Sequence, residues 1–183
     1  MKKNIRKIIK IPEKTEARIE LPRVVITGPL GCIEKKFKFK DIVIKKEDNN
    51  IVVEHEKATK NDKKMINTIV SHIANMVRGV REGFEYELQI CSTHFPITVK
   101  VNKENNVLVI KNFLGEDKDR VVKLLSGINV KVEGDIITVS SINKELAGQQ
   151  AANIEAVSRI KKHDRRVFQD GIWIIKKEKG KSK

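Results

Sequence analysis

The stretch that decides the fold is Arg165–Lys177, which reads RRVFQDGIWIIKK. Its four apolar residues at positions 172–175 follow an Asp-Gly pair, and basic residues lie on both sides of them. This apolar run is far shorter than the roughly 20 residues that a membrane-spanning helix needs. We therefore predict a strand that is entered through a turn, completes a small hydrophobic core and carries cations at both ends.

The charge of the chain is concentrated outside its central part. The net charge is +14 over 183 residues, yet residues 11–158 contribute only +2. Residues 1–10 carry five basic groups and no acid, while residues 159–183 carry ten basic groups and three acids. A nearly neutral body with two basic ends indicates a polyanionic partner, with nucleic acid as the first candidate and a membrane surface as the second.

The sequence does not carry the signals of a secreted or membrane protein. The basic residues at the start are followed by Pro12-Glu13-Lys14 rather than by the apolar region of a signal peptide. No apolar run reaches the length of a transmembrane helix. Cys32 and Cys91 are the only cysteines, and their spacing does not suggest a disulfide scaffold. We expect a reduced, intracellular setting.

The first half of the chain predicts a meander of short strands followed by one helix. Apolar residues between positions 65 and 80, from Met65 onward, recur with a period of 3.6 and form a single stripe. Asn61 or Asp62 is the predicted N-cap, and Gly79 or Gly83 is the predicted end of the helix. The predicted strands cover residues 19–21, 24–27, 32–39, 43–44 and 51–53.

The pattern then restarts, which predicts an internal duplication. At an offset of 84, Ile26 and Leu30 meet Ile110 and Leu114, and the two helices match at an offset of 87. A second helix with small residues on its apolar stripe is predicted over about residues 143–160. The second set of predicted strands covers residues 86–90, 97–101, 107–110, 121–125, 130–132 and 136–139.

The predicted fold class is α+β, a tandem duplication of a small domain. Each copy is expected to pack an antiparallel or mixed β-sheet on one main α-helix. Residues 1–83 form the first repeat with a basic N-terminal tail, and residues 84–177 form the second repeat. Residues 178–183 form a basic C-terminal tail.

Candidate sites for catalysis, metal or nucleotide are incomplete. Cys91 and His94 have the spacing of half a zinc site, but the other half is missing. Gly180-Lys181-Ser182 is similar to the end of a phosphate loop, yet the glycine needed five positions earlier is Ile175. We expect no catalytic residue, metal or cofactor. A hydrolase that uses His94 with a distant acid remains as an alternative.

The densest basic cluster is expected to contact phosphate groups. Asp164 is the only acid within it. Aromatic residues make up only 4% of the chain, so a row of stacking residues is absent, although His94, Phe95 and Trp173 could stack on a base. Recognition of folded RNA by shape and backbone fits this composition better than reading of loose bases. The cluster contains Arg159, Lys161, Lys162, His163, Arg165 and Arg166.

Several motifs, taken in order, resemble one known family. Ser71–Val80 reads SHIANMVRGV and is followed by a Gly-Phe-x-Tyr motif at 83–86. His94–Ile97 reads HFPI, and Asn112–Glu116 reads NFLGE. Arg166–Ile172 reads RVFQDGI and is followed by an aromatic residue. Together they resemble a universal large-subunit ribosomal protein family, numbered six in bacteria and nine in eukaryotes. The last motif is similar to its eukaryotic and archaeal branch.

The resemblance implies two copies of one α+β fold and a structural role in the large ribosomal subunit, which supports translation in the cytoplasm. It implies binding of large-subunit rRNA, mainly through the second domain, near the sarcin–ricin loop and the base of the factor-binding stalk, beside neighbouring ribosomal proteins. A eukaryotic member would also pass through the nucleolus during assembly. No membrane, cofactor or small-molecule substrate is implied. Charge alone leaves a non-ribosomal double-stranded RNA-binding module as the alternative.

The RNA-facing residues are predicted from the basic cluster and from the positions that match the family's motifs. They are Thr93, His94, Pro96, Lys111, Asn112, Arg159, Lys161, Lys162, Arg165, Arg166, Trp173, Lys176 and Lys177.

Overall fold

The computed structural model describes residues 3–37, 39, 42–161, 164 and 166–177. The chain divides into two compact units, Met1–Gly83 and Phe84–Lys183, which we call unit 1 and unit 2. Among the described residues, neither helix combines the length and apolar character needed to span a membrane.

Unit 1 contains two three-stranded antiparallel sheets and one long helix. One sheet has the strand order β2-β3-β4, and the other has the order β1-β6-β5. The elements are β1 Lys3–Lys10, β2 Glu16–Glu20, β3 Arg23–Gly28, β4 Gly31–Lys36, β5 Val43–Glu47, β6 Asn50–Ala58 and α1 Lys60–Glu82.

Helix α1 begins at a capping box that the sequence prediction placed wrongly. The N-cap is Thr59, not Asn61 or Asp62. The Thr59 hydroxyl oxygen accepts a hydrogen bond from the Asp62 N–H, and the Asp62 carboxylate accepts one from the Thr59 N–H. Of the two predicted ends, Gly83 is the C-cap and Gly79 lies within the helix; the φ of 72° at Gly83 lies in a region that favours glycine.

The apolar stripe of α1 packs against the strands of unit 1. Met65, which the periodicity placed on the stripe, is 42% exposed, so the buried face begins one residue later. Gly28 at the end of β3 lies directly against Val80, where an added Cβ would be 2.7 Å from Val80 Cγ2. The buried residues of α1 are Ile66, Ile69, Ile73, Met76, Val77, Gly79 and Val80.

Unit 2 contains a three-stranded sheet, a four-stranded sheet and a shorter helix. The sheets have the strand orders β8-β9-β10 and β11-β12-β7-β13, and all pairs are antiparallel. The elements are β7 Phe84–Cys91, β8 Thr98–Asn102, β9 Val107–Lys111, a 3₁₀ turn Phe113–Gly115, β10 Arg120–Lys123, β11 Asn129–Glu133, β12 Ile136–Ser141, α2 Lys144–Val157 and β13 Gly171–Lys177.

The two units repeat one order of elements. A first strand is followed by a three-stranded meander, then by a hairpin that pairs with the first strand, then by the helix. In unit 2, β13 adds a fourth strand on the free edge of β7. The predicted α+β fold and its tandem duplication are confirmed, with the strands of each copy divided between two sheets.

Helix α2 lies close to its sheet because small residues, Ala147, Gly148 and Ala151, occupy part of its inner face. A Cβ on Gly148 would lie 3.1 Å from the Tyr86 hydroxyl oxygen. The helix ends at Val157, three residues before the predicted end at Ile160. Gln150, which the apolar pattern did not include, is fully buried. Its side-chain amide donates to the carbonyl oxygen of Lys123 at the end of β10 and accepts from the N–H of Leu125 just after that strand.

Candidate nucleic-acid interface

The predicted final strand exists and occupies an edge of the larger sheet in unit 2. Gly171 pairs with Cys91 and Lys177 pairs with Tyr86, so β13 runs antiparallel to β7. Ile172 is fully buried in the core, as the apolar run predicted. The loop that follows β7 therefore meets the segment that enters β13 at one end of the sheet.

Asp170 joins that loop to the start of β13. The residue is only 1% exposed. Its Oδ1 accepts hydrogen bonds from the backbone N–H groups of Thr93 and His94, and its Oδ2 lies 2.5 Å from Nδ1 of the His94 ring. One carboxylate thus holds two segments that are more than 70 positions apart in the chain. We call this arrangement the Asp170 clamp.

The pKa of Asp170 is held below its usual value. Burial alone raises the pKa of this carboxyl. The hydrogen bonds from the Thr93 N–H, the His94 ring and the His94 N–H, together with the charge of the ring, outweigh burial and lower the pKa. Asp170 is therefore ionised at neutral pH, and charge-assisted hydrogen bonds of this kind are stronger than neutral ones.

Aromatic packing and an amide bond complete the loop. The His94 ring stacks on Phe168 with the ring centroids 4.8 Å apart. Asn112 adopts a left-handed backbone with a φ of 56°, and its Nδ2 donates to the carbonyl oxygen of Pro96 over 3.1 Å. The Phe95 ring lies against Gly115, the last residue of the 3₁₀ turn. The structure therefore brings Thr93, His94, Pro96 and Asn112 together.

Arg120 anchors the beginning of the basic segment, although no motif or charge pattern in the sequence singled it out. Its guanidinium pairs with Glu116, lies 3.9 Å from the centroid of the Phe113 ring and donates to the carbonyl oxygens of Val157 and Arg159. The hydrogen bond from Arg120 also holds the pKa of Glu116 below its usual value. The only signal in the sequence is the i,i+4 spacing of an acid and an arginine.

The structure describes only some residues of the basic segment at 159–166. Arg159, Lys161 and Arg166 are exposed. Arg166 pairs with Asp164 over 3.2 Å, although 91% of its side chain remains accessible. The predicted RNA contacts Lys162 and Arg165 lie outside the described residues, as do His163 and the predicted tail at 178–183.

The remaining predicted RNA contacts are three lysines that do not form one cluster. Lys111 lies beside the loop and pairs with Asp119 over 3.4 Å. Lys176 pairs with Glu87, and Lys177 is exposed. These last two lysines follow five and six residues after Gly171, so at a rise of about 3.3 Å per residue they lie roughly 17–20 Å from the clamped end of β13. The structure does not bring them to the loop.

The half zinc site is not completed within the described part of the chain, where no group of three His, Cys, Asp or Glu side chains could hold a metal ion. His94 uses its Nδ1 for Asp170 instead. A distant acid for His94 does exist, as the hydrolase alternative required. That acid is Asp170. Its carboxylate also accepts hydrogen bonds from the backbone N–H groups of Thr93 and His94, so it holds the loop in place.

Comparison with known proteins gives a match in both halves of the chain. The family model described as ribosomal protein L6 matches residues 11–83 and again residues 95–171.

The chain belongs to the ribosomal protein L6 family.

Individual members of the L6 family are similar over nearly the whole chain. The large ribosomal subunit protein uL6 of Methanobrevibacter smithii is 47% identical over 95% of this chain and 97% of its own length. The proteins of the same name from Methanosarcina mazei and Sulfurisphaera tokodaii are 45% and 46% identical and also cover more than nine-tenths of both chains.

Membership of the L6 family decides between the broad classes of function. The family consists of structural ribosomal proteins and not of enzymes, so the hydrolase alternative is wrong and the expected absence of catalysis is confirmed. The double match agrees with the duplicated fold. The relatives named above are archaeal and give no support to the nucleolar assembly expected of a eukaryotic member.

Proposed function

We propose that this L6 protein is a structural component of the large ribosomal subunit in the cytoplasm and that unit 2 binds large-subunit rRNA. The observation that carries the proposal is the Asp170 clamp, which fixes the loop at Thr93–Ile97 against the segment that bears Arg159, Lys161 and Arg166. A rigid loop beside exposed cations is suited to the phosphate backbone of a folded RNA.

The cations of the segment are available to phosphate. An exposed ion pair such as Arg166 with Asp164 contributes little to stability, so an RNA phosphate can replace the carboxylate at small cost. Arg159 is held in place by its backbone carbonyl, which accepts from Arg120 and leaves the Arg159 side chain exposed. The backbone at Arg159 is thus fixed before RNA arrives, which reduces the entropy lost on binding.

We place the binding site near the sarcin–ricin loop and the base of the factor-binding stalk, beside neighbouring large-subunit proteins. Support comes from the motifs at His94–Ile97 and Asn112–Glu116, which resemble the family's RNA-facing loops and which the structure sets side by side. Chemical footprinting of large-subunit rRNA with and without the protein tests this location, and protection confined to other regions would contradict it.

Sedimentation tests the main proposal. The protein should travel with large subunits through a sucrose gradient and dissociate only at high salt, because phosphate contacts release counterions. Recovery as a free protein at physiological ionic strength would refute a structural role in the subunit. Equal affinity for a random RNA duplex and for large-subunit rRNA at matched salt would favour the non-ribosomal module instead.

A pair of matched variants tests the assignment to unit 2. Arg159→Ala with Lys161→Ala removes two exposed cations beside the loop, and Lys63→Ala with Lys64→Ala removes two exposed cations from α1. We expect only the first pair to reduce the salt dependence of rRNA binding, by up to about 1.8 in the log–log slope. The opposite result would assign binding to unit 1.

A further inference from the structure

A pocket opens between the loop after β7 and the segment that leads into β13. Its volume is about 640 Å³. The lining combines aromatic and aliphatic surfaces with a hydroxyl, a thiol and an amide, and no lining residue among those that the structure describes carries a charge. The lining residues are Cys91, Thr93, Ile160, Phe168, Gln169 and Trp173.

Both aromatic rings of the pocket are fixed in orientation. The Trp173 Nε1–H donates to the carbonyl oxygen of Gln169 over 3.3 Å. The indole lies on Gly171, where an added Cβ would be only 3.2 Å from the ring. Phe168 is stacked on His94, which the Asp170 clamp holds in turn. The flat surfaces of the pocket therefore exist before any ligand binds.

Exposed cations lie next to this neutral pocket. The lining residue Ile160 stands between Arg159 and Lys161 in the chain, and both of these are exposed. Exposed Arg166 lies three residues before Gln169 and accepts a hydrogen bond from the Gln169 amide at its carbonyl oxygen. A neutral aromatic site beside cations is complementary to a nucleotide, in which a flat neutral base is joined to an anionic phosphate.

We propose that this pocket receives one unstacked base of large-subunit rRNA while the neighbouring cations bind the phosphates on either side of it. The inference rests on the proposed function and adds a base-stacking site to a surface that otherwise contacts the RNA backbone. The Thr93 hydroxyl and the Gln169 amide stand at the rim, where they hydrogen-bond to the edge of the base.

The single tryptophan of the chain reports directly on this site. The full-length protein is titrated with large-subunit rRNA while filter retention measures binding and fluorescence follows Trp173. Stacking of a base on the indole should quench the fluorescence in step with binding. Trp173→Ala should weaken binding about 5- to 150-fold, as loss of one stacked base does, and leave the salt slope unchanged because no phosphate contact is lost.

Two controls separate stacking from a loss of fold. Trp173→Phe retains an aromatic surface and should bind nearly as well as the wild type. Ile175→Ala changes a 52% exposed side chain on the same strand that does not line the pocket, and it should leave binding unchanged. If Trp173→Ala does not fold, Thr93→Leu is tested in its place. A larger side chain at the exposed rim should block the pocket and weaken binding without changing the unfolding midpoint.

The outcomes distinguish the pocket from the proposed function. Binding of rRNA with unchanged fluorescence and with normal affinity of the pocket variants would overturn the base site and leave the proposed function intact. Failure to bind rRNA at all would overturn the proposed function.

Quenching by free adenosine monophosphate at the same nucleotide concentration would indicate a small-molecule pocket. Quenching that occurs only in assembled subunits would indicate a side chain of a neighbouring protein. Either result overturns the inference.

Discussion

The substitution Asp170→Asn should destabilise unit 2 far more than its size suggests. The carboxylate is 1% exposed and accepts hydrogen bonds from two backbone N–H groups and from the His94 ring. Hydrogen bonds to a charged group contribute about 1.5–3 kcal/mol each, and neutral ones about 0.5–1.5 kcal/mol. An asparagine keeps one acceptor oxygen but loses the charge. We therefore expect a loss of about 2–4 kcal/mol in the free energy of unfolding.

Urea unfolding monitored by tryptophan fluorescence measures this effect, because Trp173 is the only tryptophan and lies in unit 2. With a denaturant slope of about 2 kcal/mol/M, the midpoint of Asp170→Asn should fall by roughly 1–2 M. The matched control is Asp164→Asn, which removes an exposed carboxylate that also binds a backbone N–H and an arginine. An exposed pair of this kind contributes little to stability, so its midpoint should shift far less. Equal shifts for the two variants would refute the reasoning.

The pH dependence of the same variant provides an independent check. The folded pKa of Asp170 is lowered, so its contribution is complete above the unfolded value of about 3.9 and is lost as the pH falls through the folded pKa. The stability difference between wild type and Asp170→Asn should therefore include the full contribution of the carboxylate above about pH 4 and shrink below that pH. A difference that persists unchanged at lower pH would show that charge is not its source.

Three further substitutions test the core, a close contact and the RNA contacts. Ile69→Ala on the fully buried face of α1 should cost about 2–5 kcal/mol in unfolding followed by circular dichroism. Its rRNA affinity should barely change where the fold persists. Gly28→Ala should cost about 1–3 kcal/mol in the same assay, because its Cβ would overlap Val80, and an unchanged midpoint would disprove that contact. Arg165→Ala with Arg166→Ala should weaken rRNA binding and reduce the salt slope by up to about 2, and an unchanged slope would show that neither arginine touches phosphate.

Local patterns in the sequence were sufficient for most elements. Alternation of apolar residues predicted most of the strands, and the 3.6-residue period predicted α1, because both signals depend on neighbours in the chain. Residues 3–10, which the sequence assigned to a basic tail, form β1 instead. The cap was misplaced because any of several polar residues near position 60 satisfies the preference for an N-cap. The reciprocal bonds between Thr59 and Asp62 favour one of them. The spacing of a capping box, Thr-x-x-Asp, was the available signal.

The candidate site was predictable only as a list of residues. Motifs and charge indicated His94 and the basic segment, but Asp170 looked like one half of an Asp-Gly turn. Its role depends on a partner loop more than 70 positions away that reaches it only through the pairing of β13 with β7. The same reason explains why Arg120 was missed, since it donates to the carbonyl oxygens of Val157 and Arg159, 37 and 39 positions away. Long-range polar contacts of this kind leave no local pattern.

The place of β13 in the sheet affects how the protein is made. During translation, β7 emerges roughly 80 residues before the strand that covers its edge. Synthesis proceeds at about 5–20 residues per second, so the backbone groups on that edge of β7 remain unpaired for about 4–16 s. A nascent chain can thus complete unit 1 while unit 2 is still open. The nascent chain would acquire its proposed affinity for rRNA only after β13 has left the exit tunnel. The order of synthesis thus delays binding of the chain to the rRNA of the ribosome that is synthesising it.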